Sequence, residues 1–101
     1  MATIQSVDKA LSVLNYILVQ NFVHGVPQHR IAAALGLSAS NVSRYIDELK
    51  RHELIESVAD TGHVRASHRL ARAAATILDH INQARDRLDR SVARITTPIT
   101  E

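Results

Sequence analysis

The most constraining stretch of this chain runs from Gln28 to Leu49, where two short helical patterns flank a glycine-centred turn. Ile31, Ala32 and Leu35 make one apolar stripe at i, i+1 and i+4. Gly36 follows directly, at a point where a chain leaving a helix often takes positive φ, which glycine does at least cost. Leu37 is a lone apolar residue in the turn and reads as a plug between two helices. Ser38 is placed to cap the second helix by accepting a bond from a free N–H of its first turn. Val42, Ile46 and Leu49 then recur at i, i+4 and i+7 as the buried stripe of that helix.

The residues between those apolar positions give the stretch its chemistry. Ser40, Asn41, Ser43, Arg44 and Asp47 fall away from the apolar stripe and leave a surface of short polar groups with one guanidinium. Such a surface suits a DNA major groove: arginine matches guanine O6 and N7, asparagine matches adenine N6 and N7, and serine serves base or phosphate. With Ala32 small enough to let two helices cross closely, the pattern is that of a helix-turn-helix. A plain helical hairpin with a solvated polar face is the alternative, less well matched to a glycine, plug, cap and two stripes in register.

Beyond Leu49 the register changes. Lys50-Arg51-His52 suits the negative pole at the end of the second helix. Leu54 to Val58 reads as a short strand, Ala59-Asp-Thr-Gly62 as a turn, and His63-Val-Arg-Ala66 as the returning strand. A two-stranded ribbon behind a recognition helix is the wing of a winged helix, with Thr61, His63 and Arg65 as candidates for contacts to phosphate or the minor groove; otherwise the ribbon caps the core. Ser67 caps a final helix that runs to about Ile95, before Thr96-Thr-Pro98 stops it. At 1.5 Å per residue this helix is about 40 Å long, more than a domain of this size can cover. Leu70, Ala74, Ile77, Ile81, Ala84, Leu88, Ser91 and Ile95 alternate in steps of four and three, a seam for pairing with a second copy. Two alanines and a serine weaken that seam, so a contribution from the first helix is expected.

That first helix is expected to open at Ser6, with Asp8 in its first turn. Val7, Ala10, Leu11, Leu14, Ile17 and Leu18 form its core stripe, and Val13 and Tyr16 widen the apolar arc. The sequence assigns Val13 and Tyr16 to a partner subunit, although Tyr16 equally suits the edge of the core. Gly25-Val-Pro27 breaks the chain before the helix-turn-helix. The expected architecture is mainly α: a winged helix-turn-helix over 1–67, a dimerisation helix over 68–95 and a tail over 96–101.

Composition removes several functional classes. The chain has 101 residues, enough for one domain, and only 3% of them are aromatic, too few for the stacking platforms of single-strand or RNA binders. The absence of cysteine excludes disulfides and thiolate metal sites. Six histidines are present, but none stands three or four positions from another, so no metal is expected. Neither a phosphate-cradling glycine loop nor a nucleophile elbow occurs, so no cofactor and no catalysis are expected. No export signal or membrane span is visible, and a cytoplasmic protein is expected. The net charge is only +2, so a phosphate-binding face has to arise by folding.

These residues resemble the DNA-binding domain of the IclR family of bacterial regulators. The resemblance is carried by Ser6-Val-Asp-Lys-Ala-Leu11, Ile31-Ala-Ala-Ala-Leu-Gly-Leu-Ser38, Val42-Ser-Arg-Tyr-Ile46, Leu49 with Leu54-Ile-Glu-Ser57, and Gly62-His-Val-Arg65. It covers about residues 4 to 70. It implies a winged helix-turn-helix, operator DNA as the partner, and a homodimer. By position it puts Ser40, Asn41, Ser43 and Arg44 on base edges and Gln28, His29 and Arg30 near phosphate, with Ser38 and Lys50 in the same interface. The chain departs from that family in having His63 where a tyrosine usually follows the wing glycine, and no small-molecule effector domain is expected in it. A winged-helix module that binds a protein instead of DNA is the other reading, motivated by Asp47, Glu48 and the small net charge.

Overall fold

The computed structural model describes residues 2–99. Helix α1 (Ala2–Leu18), α2 (Gln28–Leu35) and α3 (Ala39–Arg51) are followed by β1 (Ile55–Ser57), β2 (Val64–Ala66) and α4 (His68–Thr96). A first compact unit ends at Ala71, and a second begins at Arg72. Helix α4 takes in Thr96, the first residue of the tail expected over 96–101, and the last two residues, 100 and 101, lie outside the described residues.

The turn between α2 and α3 forms as its residue types dictate. Gly36 adopts the left-handed conformation at φ 65°, and the Leu37 N–H bonds to the Ala32 carbonyl at 3.1 Å. Ser38 is extended, and its hydroxyl accepts from the Asn41 N–H at 3.2 Å, which starts α3. Leu37 packs against the core as the plug. Ile31 from α2 meets Val42, Tyr45, Ile46 and Leu49 from α3, all buried. Tyr45 widens the buried α3 stripe beyond the expected Val42, Ile46 and Leu49.

Helix α1 corrects two expectations. It begins at Ala2, so Ser6 is an interior residue; nothing in Ala2-Thr-Ile-Gln5 breaks a helix. Its inward face is also rotated. Val13 is 0% exposed, so it belongs to the core of its own domain and is unavailable to a partner. Ala10, Val13, Leu14 and Ile17, at i, i+3, i+4 and i+7, form the true inward stripe. Tyr16 covers the core edge. Val7, Leu11 and Leu18, expected inside, are 58%, 49% and 44% exposed.

The ribbon pairs antiparallel, with Ile55 opposite Ala66, Glu56 opposite Arg65 and Ser57 opposite Val64. Val26 adds a rung on the other edge of β2: its N–H donates to the Val64 carbonyl at 2.8 Å, and its carbonyl accepts from the Val64 N–H at 3.0 Å. This rung needs Gly25, whose φ is +70° and where a Cβ would lie 2.6 Å from the Val64 carbonyl oxygen. Ser67 caps α4 by accepting from the Leu70 N–H at 3.0 Å while its hydroxyl donates to the Glu53 carbonyl at 2.7 Å. Leu70 is half-buried, and no residue of α4 is fully buried. The expected seam residues Ala74, Ile77, Ile81, Ala84, Leu88 and Ile95 are all exposed, and Leu78 and Val92 add to the uncovered apolar surface.

Candidate nucleic-acid interface

Two short helices and the ribbon carry the candidate residues. Gln28, His29 and Arg30 form the first turn of α2 and are exposed. Pro27 precedes them in extended conformation, and no side chain caps this helix. The Arg30 N–H donates to the Pro27 carbonyl at 3.1 Å, which leaves the Gln28 and His29 N–H groups with the capacity to receive an anion.

Helix α3 presents two kinds of polar group. Ser38 is occupied as the cap, and Ser40 lies 3.4 Å from it, hydroxyl to hydroxyl. Asn41 and Ser43 are half-buried and Arg44 is exposed; among the described residues, none of these three side chains is held by a hydrogen bond or ion pair. Asp47 is exposed on the same helix, and Lys50 is half-buried. One turn on, Glu48 and Arg51 neutralise each other at 2.7 Å. The hydrogen bond from Arg51 and its charge hold the Glu48 carboxyl below the ordinary carboxylate value, and the Glu48 hydrogen bond and charge raise the Arg51 guanidinium. Among the described residues Arg44, Asp47 and Lys50 make no ion pair, whereas Glu48 and Arg51 balance each other.

The ribbon is arranged differently. Thr61 and His63 lie in the turn, where the His63 N–H donates to the Thr61 hydroxyl at 3.2 Å; the exposed Asp60 stands beside them. Arg65 turns inward. Its Nε and Nη2 donate to Glu56 Oε2 at 3.1 and 3.0 Å, its Nη1 donates to the Val23 carbonyl at 3.3 Å, and its guanidinium lies 5.3 Å from the Phe22 ring centroid. Glu56 also accepts from the His68 N–H at 2.8 Å and contacts the His68 ring at 2.7 Å, joining the ribbon to the start of α4. Burial pushes the Glu56 carboxyl up, but the bonds from the His68 N–H, Arg65 and the His68 ring outweigh it and hold the carboxyl below its ordinary value.

Ser38, Ser40, Asn41, Ser43 and Arg44 stand together at the cap and start of α3, as their spacing predicts. Arg65, expected among the outward groups, instead turns its guanidinium to Glu56. The signal for that pairing was the cross-strand register, which sets Arg65 opposite Glu56. Among the described residues, no group of three or more potential metal ligands occurs, and no helix is long and apolar enough to cross a membrane.

No curated protein sequence matches the chain. Among solved structures, it resembles a protein of Silicibacter sp. TM1040 described as an IclR transcriptional regulator, with a TM-score of 0.64 and 22% identity. That match covers 87% of this chain and 35% of the other, so the chain spans about a third of that protein. At this identity the likeness speaks to the fold, a winged helix, which the helix order and the ribbon bear out. Where the sequence suggested IclR, the family model that matches, over residues 8–66, is that of the MarR family. Those residues make up more than half of the chain and hold the helix-turn-helix and the ribbon, and the chain belongs to the MarR family.

Proposed function

We propose that the chain is a DNA-binding transcription regulator that reads double-stranded DNA sequence-specifically, as a homodimer formed along α4. The observation that carries this reading is the start of α3, where the side chains of Asn41, Ser43 and Arg44 make no hydrogen bond or ion pair among the described residues, behind a well-formed turn. In this reading Arg44 contacts guanine, Asn41 contacts adenine, and Ser40 and Ser43 serve either bases or phosphates. Gln28, His29 and Arg30 position the backbone of the duplex, with Lys50 as a further cation and Thr61 and His63 as the reach of the wing. Ser38 acts through its cap, and Arg65 acts by fixing the ribbon. The exposed α4 stripe, with Ile77, Ile81, Leu88 and Ile95 between small residues, pairs two copies so that they read half-sites about 34 Å apart or a multiple of it.

The test is selection of bound fragments from random duplex DNA, followed by titration of the selected site. Replacing Arg44 with Ala is expected to cost about 1–3 kcal/mol at one base step and to relax discrimination there. Affinity should also fall steeply with salt, because phosphates release counterions on binding. A second reading, a winged-helix module that recruits a protein, is favoured by Asp47 on α3 and Asp60 in the ribbon turn, both exposed. Failure to bind any duplex at low salt would select that reading.

A further inference from the structure

The outward face of α3 carries an acid that no cation of the helix neutralises. Asp47 is exposed, and Arg44, Lys50 and Arg51 all stand about one turn from it. Among the described residues none of the three pairs with it, and Arg51 bonds to Glu48 at 2.7 Å instead. A lone carboxylate on a surface that meets phosphates lowers affinity for every duplex alike. General attraction to DNA therefore gives Asp47 no role.

Its place on the helix gives it one. Ser40, Ser43, Arg44 and Asp47 recur at i, i+3, i+4 and i+7, opposite the buried Val42, Ile46 and Leu49. A helix lying in the major groove reads base edges with this set of positions. Asp47 is the one anion of the set, and an ionised carboxylate accepts hydrogen bonds and donates none. In the major groove guanine and thymine present acceptors without a donor, and adenine presents an acceptor beside its amino group. Cytosine presents its N4 amino donor alone. A carboxylate therefore accepts from cytosine and meets repelling lone pairs on the other three bases.

We infer that Asp47 is a specificity-determining residue that selects a cytosine within one or two base steps of the guanine that Arg44 takes. The inference rests on the DNA reading above and deepens it. The spacing follows from the helix: three residues advance about 4.5 Å along its axis, against about 3.4 Å for one base pair. The two side chains divide the work of recognition. Arg44 attracts, and Asp47 rejects, because a wrong base sets its charge against a lone pair with no cation of the protein to relieve it. The repulsion that weakens binding to all DNA is thus what separates one site from the rest.

The experiment selects bound fragments from random duplex DNA with four full-length proteins: wild type, Asp47→Asn, Asp47→Ala and Asp8→Asn. Urea denaturation is the control for folding. Asp8, exposed on α1, matches the change in charge without standing on α3. The wild-type site is expected to hold a cytosine beside the guanine whose selection Arg44→Ala abolishes. Asp47→Asn should raise the ratio of adenine to cytosine at that position about tenfold, because asparagine pairs with adenine N6 and N7. Asp47→Ala should accept any base there, and Asp8→Asn should select the wild-type sequence. One common sequence from all four proteins overturns the inference and leaves the DNA reading standing. So does a change in the Asp47 variants spread evenly over the site, or a wild-type site with no cytosine near that guanine. Selection of no sequence by the wild type removes both. If the Asp47 variants unfold, the wild type is titrated against its own site with that C·G pair changed to T·A. Binding should weaken about tenfold; an unchanged affinity overturns the inference.

Discussion

The outer face of α3 and the ribbon each hold one conspicuous arginine, and the two are spent differently. Arg44 is exposed and makes no internal bond among the described residues. Arg65 makes three hydrogen bonds, lies over an aromatic ring and keeps only 20% of its side chain exposed. The first is available to a ligand. The second ties the ribbon to the 22–25 loop and, through Glu56, to the start of α4. A tally of cations along the sequence treats them as equivalent, but a cation satisfied by a neighbouring carboxylate adds little to a phosphate-binding face. In the proposed function, α3 is therefore the chemical surface and the ribbon the mechanical one.

The largest effect that bears on this contrast comes from two glycines, one on each side of it. Gly25 and Gly36 both have positive φ, but only Gly25 meets a neighbour where a side chain would sit. Gly25→Ala places a methyl 2.6 Å from the Val64 carbonyl and has to break the Val26–Val64 rung. It should cost about 2–4 kcal/mol of unfolding free energy. Gly36→Ala meets nothing within 4 Å, so it pays only for the left-handed backbone, about 1–2 kcal/mol. Urea denaturation of the two variants checks the order; equal losses would mean that the ribbon is not held by close backbone contact.

How much of this was legible in the sequence depended on how local the cause was. The α2–α3 turn could be read because Gly36, Leu37 and Ser38 act within one turn of their own positions. Ser67 was legible as a cap for the same reason. The face of α1 was not, because Val7, Leu11 and Leu18 keep the same period as Ala10, Val13 and Ile17. Periodicity finds a stripe but does not say which of two adjacent stripes has a domain behind it. Tyr45 was overlooked beside the more regular Val42, Ile46 and Leu49. The inward turn of Arg65 needed the strand register, and the Val26 rung needed a loop to fold back onto β2. Neither is a property of neighbouring residues.

A smaller effect follows from exchanging the readouts of the two arginines. Arg65→Ala should lower unfolding stability by about 1–2 kcal/mol, because it strands a partly buried carboxylate and releases the loop carbonyl. The dependence of DNA affinity on salt should keep its wild-type slope, since no phosphate contact is lost. Arg44→Ala should show the opposite pattern, with an unchanged urea midpoint and a shallower or sequence-blind binding curve. If Arg65→Ala flattened the salt slope while leaving stability intact, the ribbon arginine would belong to the DNA surface after all.

The smallest effect is a pH dependence carried by Glu56. Its folded carboxyl sits below the ordinary value of 4.5 because the bonds it accepts outweigh the cost of its burial. A group depressed in the folded state contributes stability that is fully present above its unfolded value and is lost as pH falls through the lower folded one. Acidification from neutral pH should therefore begin to loosen the ribbon only below about pH 5. Glu56→Gln should flatten that part of the stability–pH curve and lower the plateau above it. Glu48 is also held low by Arg51, but that pair is fully open to water, where screening leaves little net stabilisation, so Glu48→Gln should leave the acid limb close to wild type. Parallel urea titrations from pH 3 to 7 separate the two: equal flattening by both variants would show that the acid limb follows the total carboxylate charge, whereas flattening by Glu56→Gln alone assigns it to the clasp that seats the ribbon against α4.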